Sequence, residues 1–457
     1  MKKNLLIFCM ATASSVFAQT QTPSSEWTTL QNTKFPNTSS GTRYMDAVSP
    51  SAVWAIGLDG TASSRNYNWF TVTGDGGTTF TSGNVFADTT TYVIDALEGI
   101  DANTAFVTGY YKATGNKGFI YKTTNAGVNW ANVVSASMYT NSGSFANLTC
   151  FTDAQTGITQ GDPVGGDFEI YRTTDGGANW TKVPGADIPN PVSQEYGLNN
   201  VYTKLGNHIW FGTNKARVYH STDAGLTWTV SSTVPNAAQG INQLAFKDNM
   251  NGLCVGIGGT STSPVFNLYS TTNGGLTWTQ ISSPANFGKN DMCVIPGAGK
   301  YASCGAGQGN TLLSYSSDDG VTWTDWGSTG IQYLQIDFVD NATGWAGTFS
   351  AGNDNNVGGI YKYSGVTTSL KPIAEISNFN IMANPSNGIV AVTVPKVKGT
   401  LSIDVIDALG KVVYKETTTS LVNGNSISLN LESLPKGLYT VSLTNGGETT
   451  FAKIVLQ

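Results

Sequence analysis

STDAGLTW, residues 221–228, has the form Ser/Thr-x-Asp/Asn-x-Gly-x-x-aromatic, and the chain contains five further copies of that form. The other copies are TGDGGTTF (73–80), TTNAGVNW (123–130), TTDGGANW (173–180), TTNGGLTW (271–278) and SSDDGVTW (316–323). Successive copies begin 50, 50, 48, 50 and 45 residues apart. A period of about 40 to 50 residues indicates an array of repeated structural units.

Each copy has the chemistry of a tight turn between two strands. The Asp or Asn side chain can accept hydrogen bonds from the turn's own backbone, and the Gly two residues later can adopt a positive φ. The closing aromatic residue can pack between sheets. Metal-binding or catalytic carboxylates are the alternative, but two of the six positions are Asn and each turn lies in its own copy. We interpret six residues as structural: Asp75, Asn125, Asp175, Asp223, Asn273 and Asp318.

A second repeat runs in phase with the turns. A Gly ends a short apolar stretch seven times, at Gly57, Gly109, Gly161, Gly212, Gly256, Gly305 and Gly347. The seventh unit lacks the Asp turn, whereas Trp27 matches the aromatic residue that closes the other turns. The N-terminal strand would then be the outer strand of the last unit and leave no free sheet edge. We predict an all-β fold in which residues 24–366 form a seven-bladed β-propeller closed by the N-terminal strand.

The repeat resembles that of the Asp-box (BNR) β-propellers, a superfamily that includes sialidases, some endoglucanases, the sortilin luminal domain and photosystem II assembly factors. QGDPVGGDFEIYRTTDGGANW (160–180) and KARVYHSTDAGLTW (215–228) are most similar to the seven-bladed, assembly-factor-like group. The resemblance covers about three quarters of the chain.

The sequence changes character after residue 366. Residues 367–378 have the composition of a linker, and alternating apolar residues in LSIDVID (401–407) and LYTVSL (438–443) predict half-buried strands. Residues 379–457 therefore suit a small antiparallel β-sandwich.

This tail resembles the C-terminal sorting domain of the type IX secretion system of Bacteroidota. The matching motifs are NPSNG (384–388), DALGK (407–411), LPKGLY (434–439) and the terminal KIVLQ (453–457). The motif residues are Asn384, Pro385, Gly388, Asp407, Gly410, Lys411, Gly437, Tyr439 and Lys453. The resemblance implies passage through the outer membrane, clipping of the tail, and release or attachment to surface lipopolysaccharide. A plain carbohydrate-binding sandwich is the alternative.

The N-terminus has the features of a secretory signal. Lys2 and Lys3 precede the apolar stretch LLIFCMATASSVFA (5–18), and small residues lie before Gln19. We predict a signal peptide at 1–18, with no membrane-spanning segment after its removal. The mature protein would be secreted or attached to the outer cell surface.

Composition narrows the possible partners. Only 12% of residues are charged, against about 25% in typical domains, and the net charge is −6. The four Arg residues form no basic cluster, so we expect no nucleic-acid partner. We expect a monomer without a cofactor.

Four Cys residues remain after signal removal: Cys150, Cys254, Cys293 and Cys304. They allow three full disulfide pairings, and Cys293 and Cys304 could face each other across a hairpin. Four buried core thiols are the interpretation we favour. With two His residues and no Cys-x-x-Cys, the chain lacks the pattern of a Cys/His zinc site.

Propellers usually bind ligands at one end of the central channel, and the loops after the second strands lie opposite the Asp turns. Loops of this kind offer candidate binding residues: Asp59, Tyr67, Trp69, Tyr110, Tyr111, Asp162, Asp167, Lys215 and Arg217. Such residues could hold a sugar or a peptide, although ordinary loop composition also accounts for them.

No motif marks a catalytic centre. A sialidase needs an arginine cluster and an Arg-Ile-Pro motif, which are missing here, and other glycoside hydrolases need a carboxylate pair. Which of Asp46, Asp95, Glu98, Asp291 and Asp337 face the channel stays open, because the inner strands align only with a drifting register. We therefore favour a non-catalytic module that binds a glycan or a protein. A glycoside hydrolase acting on extracellular polysaccharide and an adhesive surface component are the alternatives.

Overall fold

The computed structural model describes residues 26–30, 35, 39–60, 68–88, 91–112, 117–141, 144–260, 263–282, 284–307, 310–326, 330–351, 359–364, 380–382, 384–393, 400–407, 411–418, 426–445 and 448–457. The chain divides into two compact units, the first ending at Gly365 and the second beginning at Val366. Regular structure is almost entirely β, with a short 3-10 helix at Gly185–Asp187. The all-β prediction is confirmed.

Strands β1 to β28 belong to the first unit. Their bounds are β1 (Trp27–Leu30), β2 (Ser39–Ser49), β3 (Ala52–Asp59), β4 (Trp69–Thr73), β5 (Thr81–Asn84), β6 (Tyr92–Gly99), β7 (Ala105–Tyr111), β8 (Lys117–Thr123), β9 (Ala131–Asn132), β10 (Ala146–Phe151), β11 (Gly157–Val164), β12 (Asp167–Thr173), β13 (Thr181–Lys182), β14 (Gly197–Leu205), β15 (His208–Thr213), β16 (Val218–Ser221), β17 (Thr229–Val230), β18 (Ile241–Phe246), β19 (Gly252–Thr260), β20 (Ser263–Thr271), β21 (Thr279–Ile281), β22 (Asp291–Ile295), β23 (Lys300–Gly307), β24 (Asn310–Ser316), β25 (Thr324–Asp325), β26 (Gln332–Phe338), β27 (Gly344–Ala351) and β28 (Ile360–Tyr363).

Most of these strands form four-stranded antiparallel sheets in chain order, as in propeller blades. The sheets are β6–β9, β10–β13, β14–β17, β18–β21 and β22–β25. We call the first strand of each of these sheets, together with β2 and β26 of the remaining sheet, an inner strand.

The remaining strands form one larger sheet with the order β1-β28-β27-β2-β3-β4-β5, and β26 also pairs with β27. The N-terminal strand β1 pairs with β28 from Trp27↔Tyr363 to Leu30↔Ile360. β2 and β27 meet over a short stretch, from Ser39↔Ala351 to Gly41↔Phe349. The sheet thus consists of two four-stranded groups, β2–β5 and β26-β27-β28-β1, joined at one end.

Apolar side chains from neighbouring sheets pack together between the sheets. Trp228, which closes the turn at 221–228, is 6% exposed and lies in a cluster with Ile158 and Phe211. The close packing also explains a repeated Gly. A Cβ added at Gly109 would lie 1.8 Å from the Val93 carbonyl oxygen of the inner strand.

The second unit contains β29 (Asn380–Met382), β30 (Ile389–Thr393), β31 (Leu401–Ile406), β32 (Val412–Thr418), β33 (Ser426–Asn430), β34 (Gly437–Asn445) and β35 (Glu448–Leu456). They form two antiparallel sheets with the orders β29-β30-β33 and β32-β31-β34-β35. Buried residues of both sheets, including Val390, Ile403, Leu429 and Val441, belong to one apolar core.

Candidate functional site

The Asp turns are held by their own side chains. In the turn at 221–228, the Asp223 carboxylate accepts the Thr227 N–H at 2.9 Å and the Thr227 hydroxyl at 2.6 Å. The Ser221 hydroxyl donates to Asp223 and accepts the Gly225 N–H, and Gly225 has φ of 87°. The corresponding backbone N–H bonds to Asp or Asn recur in the other five turns. These side chains are therefore engaged inside their own turns.

β-Bulges or similar irregularities interrupt six of the inner strands near their beginnings, whereas β22 pairs without a shift. A register shift occurs in β2, β6, β10, β14, β18 and β26. In five of them the shift near the beginning of the strand leaves one residue out of the pairing: Arg43, Asp95, Asn147, Asn242 and Leu334. β2 has a second shift, at Val48. Each of these five bulges lies opposite the repeated Gly of the second strand, two to four residues before that strand ends. Bulges re-aim side chains and are common near binding sites.

Two clusters of polar side chains lie at or beside these bulges. Arg43 Nη2 lies 3.7 Å from Asp95 Oδ1, which joins neighbouring inner strands. Burial raises the pKa of Tyr110, and the nearby Asp95 carboxylate adds to the rise.

The second group belongs to the next two sheets along the chain. Asn147 Nδ2 donates to Asp162 Oδ1 at 2.7 Å, and both residues are buried. Burial raises the pKa of Tyr196, and the charge of Asp162 adds to the rise. We call Arg43, Asp95, Tyr110, Asn147, Asp162 and Tyr196 the bulge-level residues.

Tyr110 and Asp162 are the two predicted binding residues that lie among these groups. Arg43, Asn147 and Tyr196 were not among the candidates, and Asp95 had no assigned position. A polar residue that interrupts an apolar inner strand is the sequence signal that could have identified Arg43, Asp95 and Asn147. Tyr196 precedes β14 and lacks this signal.

The other predicted binding residues lie elsewhere in their sheets. Tyr67 lies outside the described residues. Trp69 packs against an apolar cluster, and the Tyr111 hydroxyl lies 3.2 Å from the Tyr121 hydroxyl. Arg217 Nε donates to Glu195 at 3.1 Å.

Three candidates are partly exposed: Asp59 ends β3, Asp167 begins β12, and Lys215 lies between β15 and β16.

Four inner-strand carboxylates accept a backbone N–H from another inner strand. The pairs are Asp46 and Gly99 (2.6 Å), Glu98 and Phe151 (2.7 Å), Asp291 and Ile336 (3.0 Å), and Asp337 and Ala47 (2.9 Å). Asp46, Glu98 and Asp337 each follow the bulge residue of their strand by three positions. These side chains therefore connect one sheet to the next.

The carboxylates lie close enough to perturb one another. Burial, with a contribution from Glu98, raises the pKa of Asp46 to about 8, and Lys204 opposes the rise. Burial raises the pKa of Asp291 and of Asp337 to about 7. Glu98 also accepts the Tyr202 hydroxyl and Lys204 Nζ, each at 2.5 Å. The Lys204 side chain is 35% exposed.

Cys150 and Cys254 are buried free thiols. Cys293 pairs in register with Ala302, and Cys304 pairs with Asp291, so the two Cys residues are not directly opposite.

His208 Nδ1 lies 3.0 Å from His220 Nε2, beside the ring of Trp210. Within the described ranges, no group of three or more His, Cys, Asp or Glu side chains could hold a metal ion.

Most of the predicted sorting-motif residues fall in turns and at strand edges of the second unit. Asn384 contacts the strand that contains Lys453, and the Lys411 N–H donates to Asp407 Oδ1 at 2.9 Å. The Tyr439 hydroxyl donates to the Pro435 carbonyl at 2.7 Å. Pro385 is exposed, Gly388 has φ of 115°, and Gly437 begins β34. Gly410 lies outside the described residues.

Comparison with solved structures supports the fold of the first unit. The chain is similar to YCF48 from Cyanidioschyzon merolae (TM-score 0.50, 16% identity), covering 74% of this chain and 98% of that chain. It is also similar to YCF48 bound to D1 peptide (TM-score 0.48, 15% identity, 74% and 96% covered). A third similar structure is the Niastella koreensis GH74 enzyme (TM-score 0.24, 13% identity, 90% and 69% covered). The fold thus defines a β-propeller-like all-β protein.

The second unit carries a secretion signal. Residues 380–457 match the family described as the secretion system C-terminal sorting domain, so this chain contains that domain and the predicted resemblance is confirmed. The domain indicates export by type IX secretion to the cell surface or the medium. No curated protein sequence gives a significant match. No helix among the described residues is long and apolar enough to span a membrane.

Proposed function

We propose that the first unit is a closed, seven-bladed propeller that binds an extracellular glycan or protein and catalyses no reaction. Its ligand would bind at the end of the channel where the second strands end. The bulge-level residues are the observation that carries this proposal, because they bring charged, amide and phenol groups from neighbouring sheets together. Such groups on a rigid scaffold suit recognition of a polar chain.

Contacts between the two four-stranded groups of the larger sheet support the closed ring. Lys362 Nζ of β28 donates to the Gly76 carbonyl at 3.1 Å, and Asp337 accepts the Ala47 N–H at 2.9 Å. Both contacts join the group β26-β27-β28-β1 to the group β2–β5. Counting these two groups with the five separate sheets gives seven blades.

The binding proposal is tested with the secreted chain on a glycan array and on extracts of bacterial cell surfaces. Arg43→Gln should weaken retention at least about tenfold, because a lost contact to a charged group costs about 1.5 to 3 kcal/mol. Lys122→Gln is the control, since Lys122 donates to the Gly176 carbonyl at the Asp-turn end. Equal loss in both variants, or retention unaffected by Arg43→Gln, would refute a site at the bulge level.

A glycoside hydrolase is the second candidate, because the raised pKa of Asp46 beside Glu98 is what a general acid requires. The backbone hydrogen bonds of both carboxylates favour a structural role instead. Release of reducing ends from soluble polysaccharides, abolished by Asp46→Asn, would establish the hydrolase and overturn the binding proposal. An adhesive role predicts retention on whole cells that survives Arg43→Gln.

A further inference from the structure

The C-terminal strand β35 lies at an edge of its sheet. It pairs with β34 from Gly437↔Leu456 to Asn445↔Glu448. Among the described residues, its other edge meets only the segment around Asn384, which forms a parallel bridge at Ser386↔Leu456. An open edge exposes N–H and C=O groups that can pair with another chain.

The Asn384 side chain occupies this edge as a strand backbone would. Its Nδ2 donates to the Lys453 carbonyl at 2.9 Å, and its Oδ1 accepts the Val455 N–H at 2.9 Å. A carboxamide has the donor and the acceptor of a peptide group, so one side chain makes both bonds of a β-ladder position. An ionised Asp could only accept.

Ser386 extends the contact to the end of the chain. Its N–H donates to the Val455 carbonyl at 2.8 Å, and its carbonyl accepts the Gln457 N–H at 2.9 Å. The same segment is tied to the other sheet, because the Gly388 carbonyl accepts the Leu431 N–H at 2.6 Å. Residues 453–457 are therefore hydrogen-bonded to β34 on one side and to the segment at 384–386 on the other.

These bonds determine which side chains of the terminal strand are exposed to solvent. Lys453, Val455 and Gln457 are exposed, whereas the alternate residues Ile454 and Leu456 are buried. Val455 lies directly opposite Leu438, which is 52% exposed. The outward face thus combines a cation with an apolar pair.

We propose that Asn384 and Ser386 form a clamp that presents residues 453–457 to the export machinery as a preformed strand. The recognised face is Lys453 together with the Val455–Leu438 pair, and it fits a protein partner with an apolar groove bordered by carboxylates. Asn384 acts here as a positioning residue. The clamp lies in the second unit. A failed binding screen for the first unit would therefore not count against the clamp.

Hydrogen exchange on the full-length chain tests the clamp. Asn384→Ala removes both side-chain bonds and should speed exchange of the Val455 N–H about fivefold, with β31 and β34 unchanged. Asn384→Asp keeps an acceptor for Val455 but cannot donate to Lys453, so its effect should be smaller. Asn387→Asp, an exposed position in the same motif, is the matched control and should exchange like the wild type.

The same variants are then produced in a bacterium with type IX secretion, and the extracellular and periplasmic fractions are compared. Asn384→Ala should lose extracellular protein and accumulate in the periplasm, whereas Asn387→Asp should be exported normally. Unchanged exchange at Val455 would disprove the clamp. Faster exchange throughout the second unit would also disprove it, because Asn384 would then stabilise the whole unit rather than the terminal strand. Local opening with normal export would disprove recognition of a preformed strand.

Discussion

Replacement of Asp291 by Asn should remove part of the pH dependence of propeller stability. Asp291 accepts the Ile336 N–H at 3.0 Å and the Met292 N–H at 2.9 Å. Burial outweighs these bonds and raises the pKa of Asp291 from 3.8 to about 7. Near pH 6 the folded protein therefore binds a proton that the unfolded chain has released.

The sign of the effect follows from this difference in bound protons. For a carboxyl group with a raised folded pKa, the free energy of unfolding falls as pH rises from the unfolded pKa through the folded pKa. With folded and unfolded pKa values of about 7 and 3.8, the loss between pH 5 and pH 8 is about 2 to 3 kcal/mol. Asp291 is partly exposed, and solvent screening reduces the expected loss to about 1 to 2 kcal/mol. A carboxamide does not titrate, so the Asp291→Asn variant should lack this contribution.

Guanidinium unfolding followed by tryptophan fluorescence at several pH values measures the effect. All 11 Trp residues lie between Trp27 and Trp345, so the signal reports the first unit. Asp153→Asn is the control, because backbone bonds from Gln155 and Thr156 lower the pKa of Asp153. That group stays ionised in both states between pH 5 and pH 8, and its variant should keep the wild-type slope. An Asp291→Asn protein with the wild-type slope would refute the assignment of a proton to Asp291.

Substitutions at three further sites, two of them with a matched control, test the fold. Asp223→Ala should cost about 1 to 2 kcal/mol in thermal unfolding, whereas Asp223→Asn should cost less than about 0.5 kcal/mol because Asn occupies the same place at Asn125. Trp27→Ala, at a position 3% exposed, should cost about 3 to 5 kcal/mol, and Thr28→Ala on the same strand should be near neutral. Gly109→Ala should greatly reduce the yield of folded protein, since its Cβ would lie 1.8 Å from a backbone oxygen.

The repeats predicted the strands well because each turn encodes its own geometry. The Asp223 carboxylate accepts the N–H of Thr227 in the same turn, and Gly225 supplies the positive φ between them, so local sequence suffices. The same holds for the alternation in β31, where Leu401, Ile403 and Val405 are buried. The period of apolar residues along a strand therefore predicts which side chains are buried.

The register of the inner strands could not be predicted, and the bulges explain why. One unpaired residue, such as Arg43 or Asp95, shifts every later side chain to the opposite face. An alignment that assumes a constant register therefore drifts. The Asp95 charge also helps to raise the pKa of Tyr110, an interaction between residues of two adjacent strands that neither strand predicts alone.

The amino-acid sequence by itself determined the all-β class, the repeated turns and the sorting domain, because each depends on residues within one short segment. Only the tertiary structure decided which groups the inner-strand carboxylates bind and how their pKa values shift. Asp337 accepts the Ala47 N–H, although the two residues are 290 positions apart in the chain. The pKa of Asp46 likewise depends on burial and on groups from other strands, since Glu98 adds to the rise and Lys204 opposes it. Hydrogen bonding and desolvation depend on distance in space, which a linear pattern records only for neighbours in the chain.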